Sequence, residues 1–496
     1  MIFYSHIFIF VFLPLILLAF FSCSLFKSKS AILGTLILGS LAFYGFYNPQ
    51  SIIILSASIS LNFIIANLVR QNNVPSRKKL LLAIGICLNV VFLAYYKYTN
   101  FLFDNINNLL HTNFEIIKII PPLGISFFTF QQIAYLVDSY RGLTEKSSFA
   151  QYFTFVSFFP QILSGPISRD SQLMPQIVNL ETFSFRNVGL GIILFSIGLC
   201  KKVIFADFCC EIVDPIFNAS NTNAILSCSE CWEGALAYSL QLYFDFSGYC
   251  DMAIGCAKML SIDLPINFDS PYKSKSITEF WRRWHITLSF FLRDYIYISL
   301  GGNRQGTLRK YSNLLLTMLI GGLWHGAAWT FIVWGGMHGL FLVINNIWKD
   351  ILNYTKVSFI QKTLVYKFFA WCITFLSVTI AWVFFRADNF QSAGNIISGM
   401  FSPSLGFGYN KFFDLNCHYL FGYNIGLAFE QFMIIALILI CVFTINSNKI
   451  LEFINNRFKK NFVFSTFVGL AIFIILLCSV IMLGRESDNS FIYFNF

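Results

Sequence analysis

Apolar runs of about 20 residues recur along this chain, each long enough to cross a hydrocarbon core of roughly 30 Å. A segment in lipid has no water to satisfy its backbone N–H and C=O groups, so runs of this kind are helices. Composition agrees: 56% of the 496 residues are hydrophobic, 60 are Phe and 12% are charged. That leaves too little polar surface for a soluble protein of this size. The first run, His6 to Phe26, has no basic leading region and no small-residue cleavage pattern after it, so it reads as a retained helix. The fold class that follows is an all-α polytopic membrane protein with about 11–12 spans.

The net charge of +10 does not mark a nucleic-acid binder. The basic residues fall in short gaps between apolar runs, where loop orientation and attraction to anionic membrane lipid account for them. Cytoplasmic loops carry the excess of Lys and Arg, so the gaps can be sorted. Residues 27–29, 70–79, 349–367 and 449–460 face in, whereas 48–50, 99–120 and 387–428 face out. If every run crossed, the basic stretch 273–310 would fall outside, so one run must fail to span. Ser157 to Pro166, broken by Pro160, Gly165 and Pro166, reads as a re-entrant segment buried in protein. With 277–300 as a second, partly submerged helix pair, both termini lie outside. No repeat or linker divides the chain, which reads as a single domain, 1–496, with a core at about 121–345 and a tail at 485–496.

Thirteen Cys occur, and Cys209–Cys210 and Cys228-x-x-Cys231 are the close sets. All four fall in what reads as a loop, 207–231, where an oxidising compartment would permit disulfides. Neither pair has a His nearby, so no metal site is expected.

The densest chemistry lies between Gln241 and His338. It includes Asp245-Phe-Ser-Gly-Tyr-Cys-Asp251, Glu279-Phe-Trp-Arg-Arg-Trp-His285, Gly301-Gly-Asn-Arg304 and Gly321-Gly-Leu-Trp-His-Gly326. Ionisable side chains at membrane depth are costly, so an intramembrane His is a functional candidate by default. His325, among small residues and beside Trp324, sits where a neutral imidazole can act as a general base. Gly321, Gly322 and Gly326 leave room for a substrate or another helix to approach. A core histidine bonded between helices fits the same pattern, and both readings stand on the residues alone. Loop charges put His325 toward the outer half of the membrane and His285 in the basic inner stretch, so a shared reaction requires a pocket that traverses the bilayer between them. Arg282 and Arg283 suit a phosphate-bearing donor, but equally an interfacial helix meeting lipid headgroups, with Trp281 and Trp284 as anchors. Asp245 and Asp251 are expected to pair with an Arg in the interior, and His338 to be structural. Nothing singles out His6, His111 or His418.

These blocks, in this order, resemble the membrane-bound O-acyltransferase superfamily. The narrower resemblance is to its bacterial branch of alginate and peptidoglycan O-acetyltransferase membrane subunits and teichoic-acid D-alanine exporters. The matched residues also include Phe158-Phe-Pro and Gly165-Pro-Ile-Ser-Arg169, and the resemblance runs from about Pro121 onward. It implies a helical ring with re-entrant helices around a central tunnel. It implies catalysis by His325 and His285, with Arg282, Arg283, Trp324 and Asn303 as donor-site or tunnel-lining residues. It implies acetyl-CoA as donor substrate, no bound cofactor or metal, and a periplasmic hydrolase-like transferase as partner in the bacterial inner membrane. Phe491-Ile-Tyr-Phe-Asn-Phe496 resembles a tail peptide of such systems, which makes Tyr493 a candidate acyl relay or, equally, an aromatic anchor. The acceptor is a polysaccharide, either peptidoglycan or alginate-like; the Phe, Ile, Asn and Lys bias suggests an AT-rich genome and leans toward peptidoglycan. A transporter or flippase without acyl chemistry is the alternative, though paired intramembrane charges and a repeated half are not evident.

Overall fold

The computed structural model describes the chain except residues 113, 115–118, 181–182, 223, 403–418, 421–422, 425–426, 459–461, 484–491 and 493–496. Helices dominate the described residues, and the only strands among them are the two-residue antiparallel pair Tyr419–Leu420 and Tyr423–Asn424. Among the described residues seven helices are long and apolar enough to cross a membrane, or eight if the bent pair Phe429–Phe443 and Ser447–Arg457 is one span. This is the architecture of an all-α, multi-pass membrane protein. The loop-charge reading counts higher because it includes runs such as Thr307–His325, a helix whose Arg309, Lys310, Asn313 and His325 lower its mean hydropathy.

The described residues form two compact units, each assembled from separate stretches of sequence. The first comprises Met1–Leu199, Tyr249–Asn267 and Ser447–Ser487. Its core includes an aromatic cluster of Phe3, Phe8, Phe43 and Phe159, with ring centroids 5.0–6.3 Å apart. In the same unit Asn62 and Asn89 exchange side-chain hydrogen bonds, and Asn62 also donates to Gln132, so amides at membrane depth satisfy one another. The expected re-entrant segment is broken as its sequence requires. The helix Phe149–Ser157 stops, one turn resumes at Phe159–Ile162 with Pro160 in its first positions, and the segment is buried throughout.

The second unit comprises Cys200–Gly248, Phe268–Asn446 and Asp488–Phe496. Its centre is an antiparallel hairpin of the helices Thr307–His325 and Trp329–Tyr354. A Cβ on Gly322 would meet the Phe331 carbonyl and Gly335, and one on Gly335 would meet the Met318 carbonyl and Gly322. Glycines at these facing positions let the two backbones touch, the usual device for packing helices in lipid. The stretch 277–300 is a broken pair, Ile277–Arg283 and Ile286–Phe291, the second continuing as a wide turn through Leu292–Tyr297. Ser276 caps the first helix by accepting from the Glu279 amide at 3.2 Å. The expected Cys-bearing loop is different. Residues Asp207–Asn221 and Cys228–Met259 are helical, and Cys209, Cys210, Cys228 and Cys231 are all free thiols. Helix formation holds them apart: Cys210 donates to Asp214 at 3.2 Å and Cys228 to the Met400 carbonyl at 3.2 Å.

Candidate active site

All of the buried imidazoles singled out by sequence lie in the second unit. His285 occupies the break between the two short helices at φ +42°, a left-handed conformation that bulky residues rarely adopt. The break turns its ring inward, where it is 0% exposed. Its edge meets Phe246 at 4.8 Å and Trp324 at 6.2 Å between ring centroids. Burial lowers its pKa to about 3, so the ring is neutral at physiological pH.

His325 is the last residue of its helix and is 4% exposed. It packs on Trp324 at 4.9 Å, on Trp334 at 5.0 Å and on Phe385 at 5.2 Å. His285 and His325 therefore both pack on one indole, that of Trp324. The expected bilayer-deep separation is corrected by the helix break, which carries His285 off the end of Ile277–Arg283 and into the interior. The room left by the glycines is taken by protein: Gly321 faces Leu292, Gly322 faces Gly335 and Gly326 lies against the Phe331 ring.

His338, expected to be structural, lies in the same aromatic shell. It is fully buried, and its Nδ1 accepts a hydrogen bond from Trp281 Nε1 at 3.3 Å. Its ring lies 4.9 Å from Trp334 and 6.0 Å from Trp382. The only signal was the four-residue spacing of Trp334 and His338 on one helix face, which also describes an ordinary core stripe.

The remaining candidates are placed differently. Arg283 is committed to Glu279 at 3.0 Å and to the Asp269 carbonyl at 3.1 Å. Arg282 is exposed. Near it, Thr278 bonds Asn345 at 2.8 Å, and Arg282 and Lys349 lie close enough to feel each other's charge at the same end of the hairpin. Asn303 is exposed in the turn after the wide helical segment and does not join the histidines. Tyr493 lies outside the described residues. Asp245 pairs with Lys202 at 3.0 Å rather than with an Arg, and Lys202 also meets Asp207 at 2.9 Å. A compact ammonium fits beside both carboxylates from the wide turn Lys201–Ala206, which sequence did not reveal. The Ile492 amide donates to the other Asp245 oxygen at 3.0 Å. Among the described residues no group of three or more His, Cys, Asp or Glu is placed to hold a metal.

Chemically, the site offers buried imidazoles in an aromatic shell, suited to moving a proton in a dry, low-dielectric space. The chain matches the membrane-bound O-acyltransferase family over residues 2–385. It is 43% identical over 429 residues to a peptidoglycan O-acetyltransferase of Helicobacter pylori, covering 81% of this chain and 80% of that one. It is 38% identical over 448 residues to a Pseudomonas aeruginosa protein named "Probable alginate O-acetylase AlgI", covering 88% and 81%. A teichoic acid D-alanyltransferase of Streptococcus thermophilus is 30% identical over 246 residues, 46% of this chain and 57% of the relative. A family match over residues 2–385, which contain both buried imidazoles, makes the chain an O-acyltransferase that belongs to the membrane-bound O-acyltransferase family.

Proposed function

We propose that this protein moves an acetyl group from cytoplasmic acetyl-CoA across the bacterial inner membrane, for O-acetylation of an extracytoplasmic polysaccharide. The observation that carries the reading is the burial of both His325 and His285 against one indole, that of Trp324, in a chain closely similar to polysaccharide-acetylating relatives. His325 is the general base on the acceptor hydroxyl, and neutral His285 orients the thioester. Exposed Arg282, with Lys349 at the same end of the hairpin, supplies positive charge for the donor's phosphates. A periplasmic hydrolase-like subunit completes the transfer, with Tyr493 as relay. The acceptor is peptidoglycan or an alginate-like polymer, with peptidoglycan favoured by the H. pylori relative's higher identity.

Membranes loaded with radiolabelled acetyl-CoA test this directly. The wild type is expected to release CoA and label an acceptor, and His325→Ala to lose at least about 100-fold, the scale of a general base. Unchanged transfer by His325→Ala overturns the catalytic reading, and acetyl-independent glycan export by the wild type points instead to a flippase.

A further inference from the structure

Among the hydrogen-bond donors of the aromatic shell that have no acceptor in the described residues are the Trp334 indole Nε1 and His338 Nε2. Trp334 is 1% exposed and His338 0%. A buried N–H left without a partner is costly, so two side by side ask for a reason. They lie four residues apart on one face of the Trp329–Tyr354 helix, with ring centroids 4.9 Å apart. Trp281 fixes what His338 can offer. A nitrogen that accepts from an indole N–H carries no proton itself, so the proton of the neutral ring is on Nε2. Trp334 in turn lies 5.0 Å from His325, perpendicular to it at 90°.

We propose that Trp334 Nε1–H and His338 Nε2–H hold the acyl carbonyl oxygen beside His325, forming the oxyanion site of the transfer; this rests on the reading of His325 as the base. Two donors that share one oxygen at about 3 Å each stand no more than about 6 Å apart, which neighbouring rings at this spacing permit. The ligand chemistry follows from the donor set. Two neutral N–H groups among Phe280, Phe341, Phe385 and Trp382 suit a thioester or ester carbonyl. A resting phosphate or carboxylate would need full counter-charge to leave water. In the step, the acceptor hydroxyl oxygen bonds to the carbonyl carbon and its proton passes to His325. The C=O pair moves onto oxygen between the two N–H groups. It then returns, the C–S bond breaks, and the departing thiolate takes the proton from His325. Trp281 is a positioning residue that acts through His338.

The test uses the full-length protein in detergent or nanodiscs with acetyl-CoA. Trp334→Phe keeps a ring and removes the N–H, and is expected to lower kcat about 100-fold with KM changed less than threefold. His338→Gln, which retains a donor near Nε2, is expected to hold at least ten times the activity of His338→Leu. Trp281→Phe is expected to steepen the pH dependence of kcat, because Nδ1 is freed to compete for the proton. If wild type transfers acetyl and His325→Ala does not, yet Trp334→Phe and His338→Leu keep full kcat, the oxyanion assignment fails while the acyltransferase reading stands. If wild type transfers no acetyl, the parent reading fails instead. A second readout covers variants that fold poorly. In His325→Ala protein, bound acetyl-CoA labelled with ¹³C at the carbonyl is expected to show its C=O stretch lowered relative to apolar solvent. An unshifted stretch overturns the proposal.

Discussion

His285 is where the backbone and the chemistry conflict. A left-handed conformation costs an ordinary L-residue roughly 1–2 kcal/mol, and Asn tolerates it far better than Ala. His285→Asn is therefore expected to be more stable than His285→Ala by about 1 kcal/mol, while both lose acyl transfer; thermal unfolding and acetyl release read the two effects separately. A reversed order would mean that the cost of burying the Asn amide, not backbone strain, dominates the position. Because the folded state keeps the ring neutral, with a pKa near 3 against the ordinary 6.5, acid must destabilise it. The sign is set by the folded value lying below the unfolded one, so stability is lost as pH falls through 6.5 toward 3. The wild type is expected to lose more stability than His285→Asn over that window in pH-dependent melts.

At the scale of elements, the hairpin Thr307–His325 and Trp329–Tyr354 sets the spacing of every ring in the site. Gly335→Leu would drive a side chain into the Met318 carbonyl and Gly322, and is expected to cost about 3 kcal/mol, with Trp334 displaced from His325. Melting temperature in detergent, compared with the open-facing Gly394→Ala, checks the magnitude. The sequence already showed small residues around His325, because Gly in an apolar run has few other uses. It did not show that protein fills the space. The partner of Gly322 is thirteen residues away, across a turn that charge and hydropathy do not register. His338 could not be decided from sequence for a related reason: an i, i+4 pair of Trp and His reads identically whether its nitrogens are bonded or waiting. The break at His285, by contrast, has no Gly or Pro to announce it.

Across the whole molecule, helical, membrane-crossing character was legible because lipid admits almost no alternative backbone. The two-unit arrangement was not, since each unit gathers stretches distant in sequence and no linker marks the change. The charge pair Lys202–Asp245 belongs to this scale, as it joins two separate helical segments in the interior. Lys202→Met leaves Asp245 buried without its cation and is expected to cost about 3–5 kcal/mol, whereas adding Asp245→Asn should recover more than half of the loss; folded yield by fluorescence-detected size exclusion distinguishes them. The same carboxylate also receives the Ile492 amide, a donor that follows it by 247 positions. During synthesis, then, Asp245 enters the bilayer with its counter-ion already made but one lone pair still unanswered. The charge is settled early and the last hydrogen bond late, so a chain interrupted before Ile492 should insert and fold, yet keep one acceptor open where the tail would have closed it.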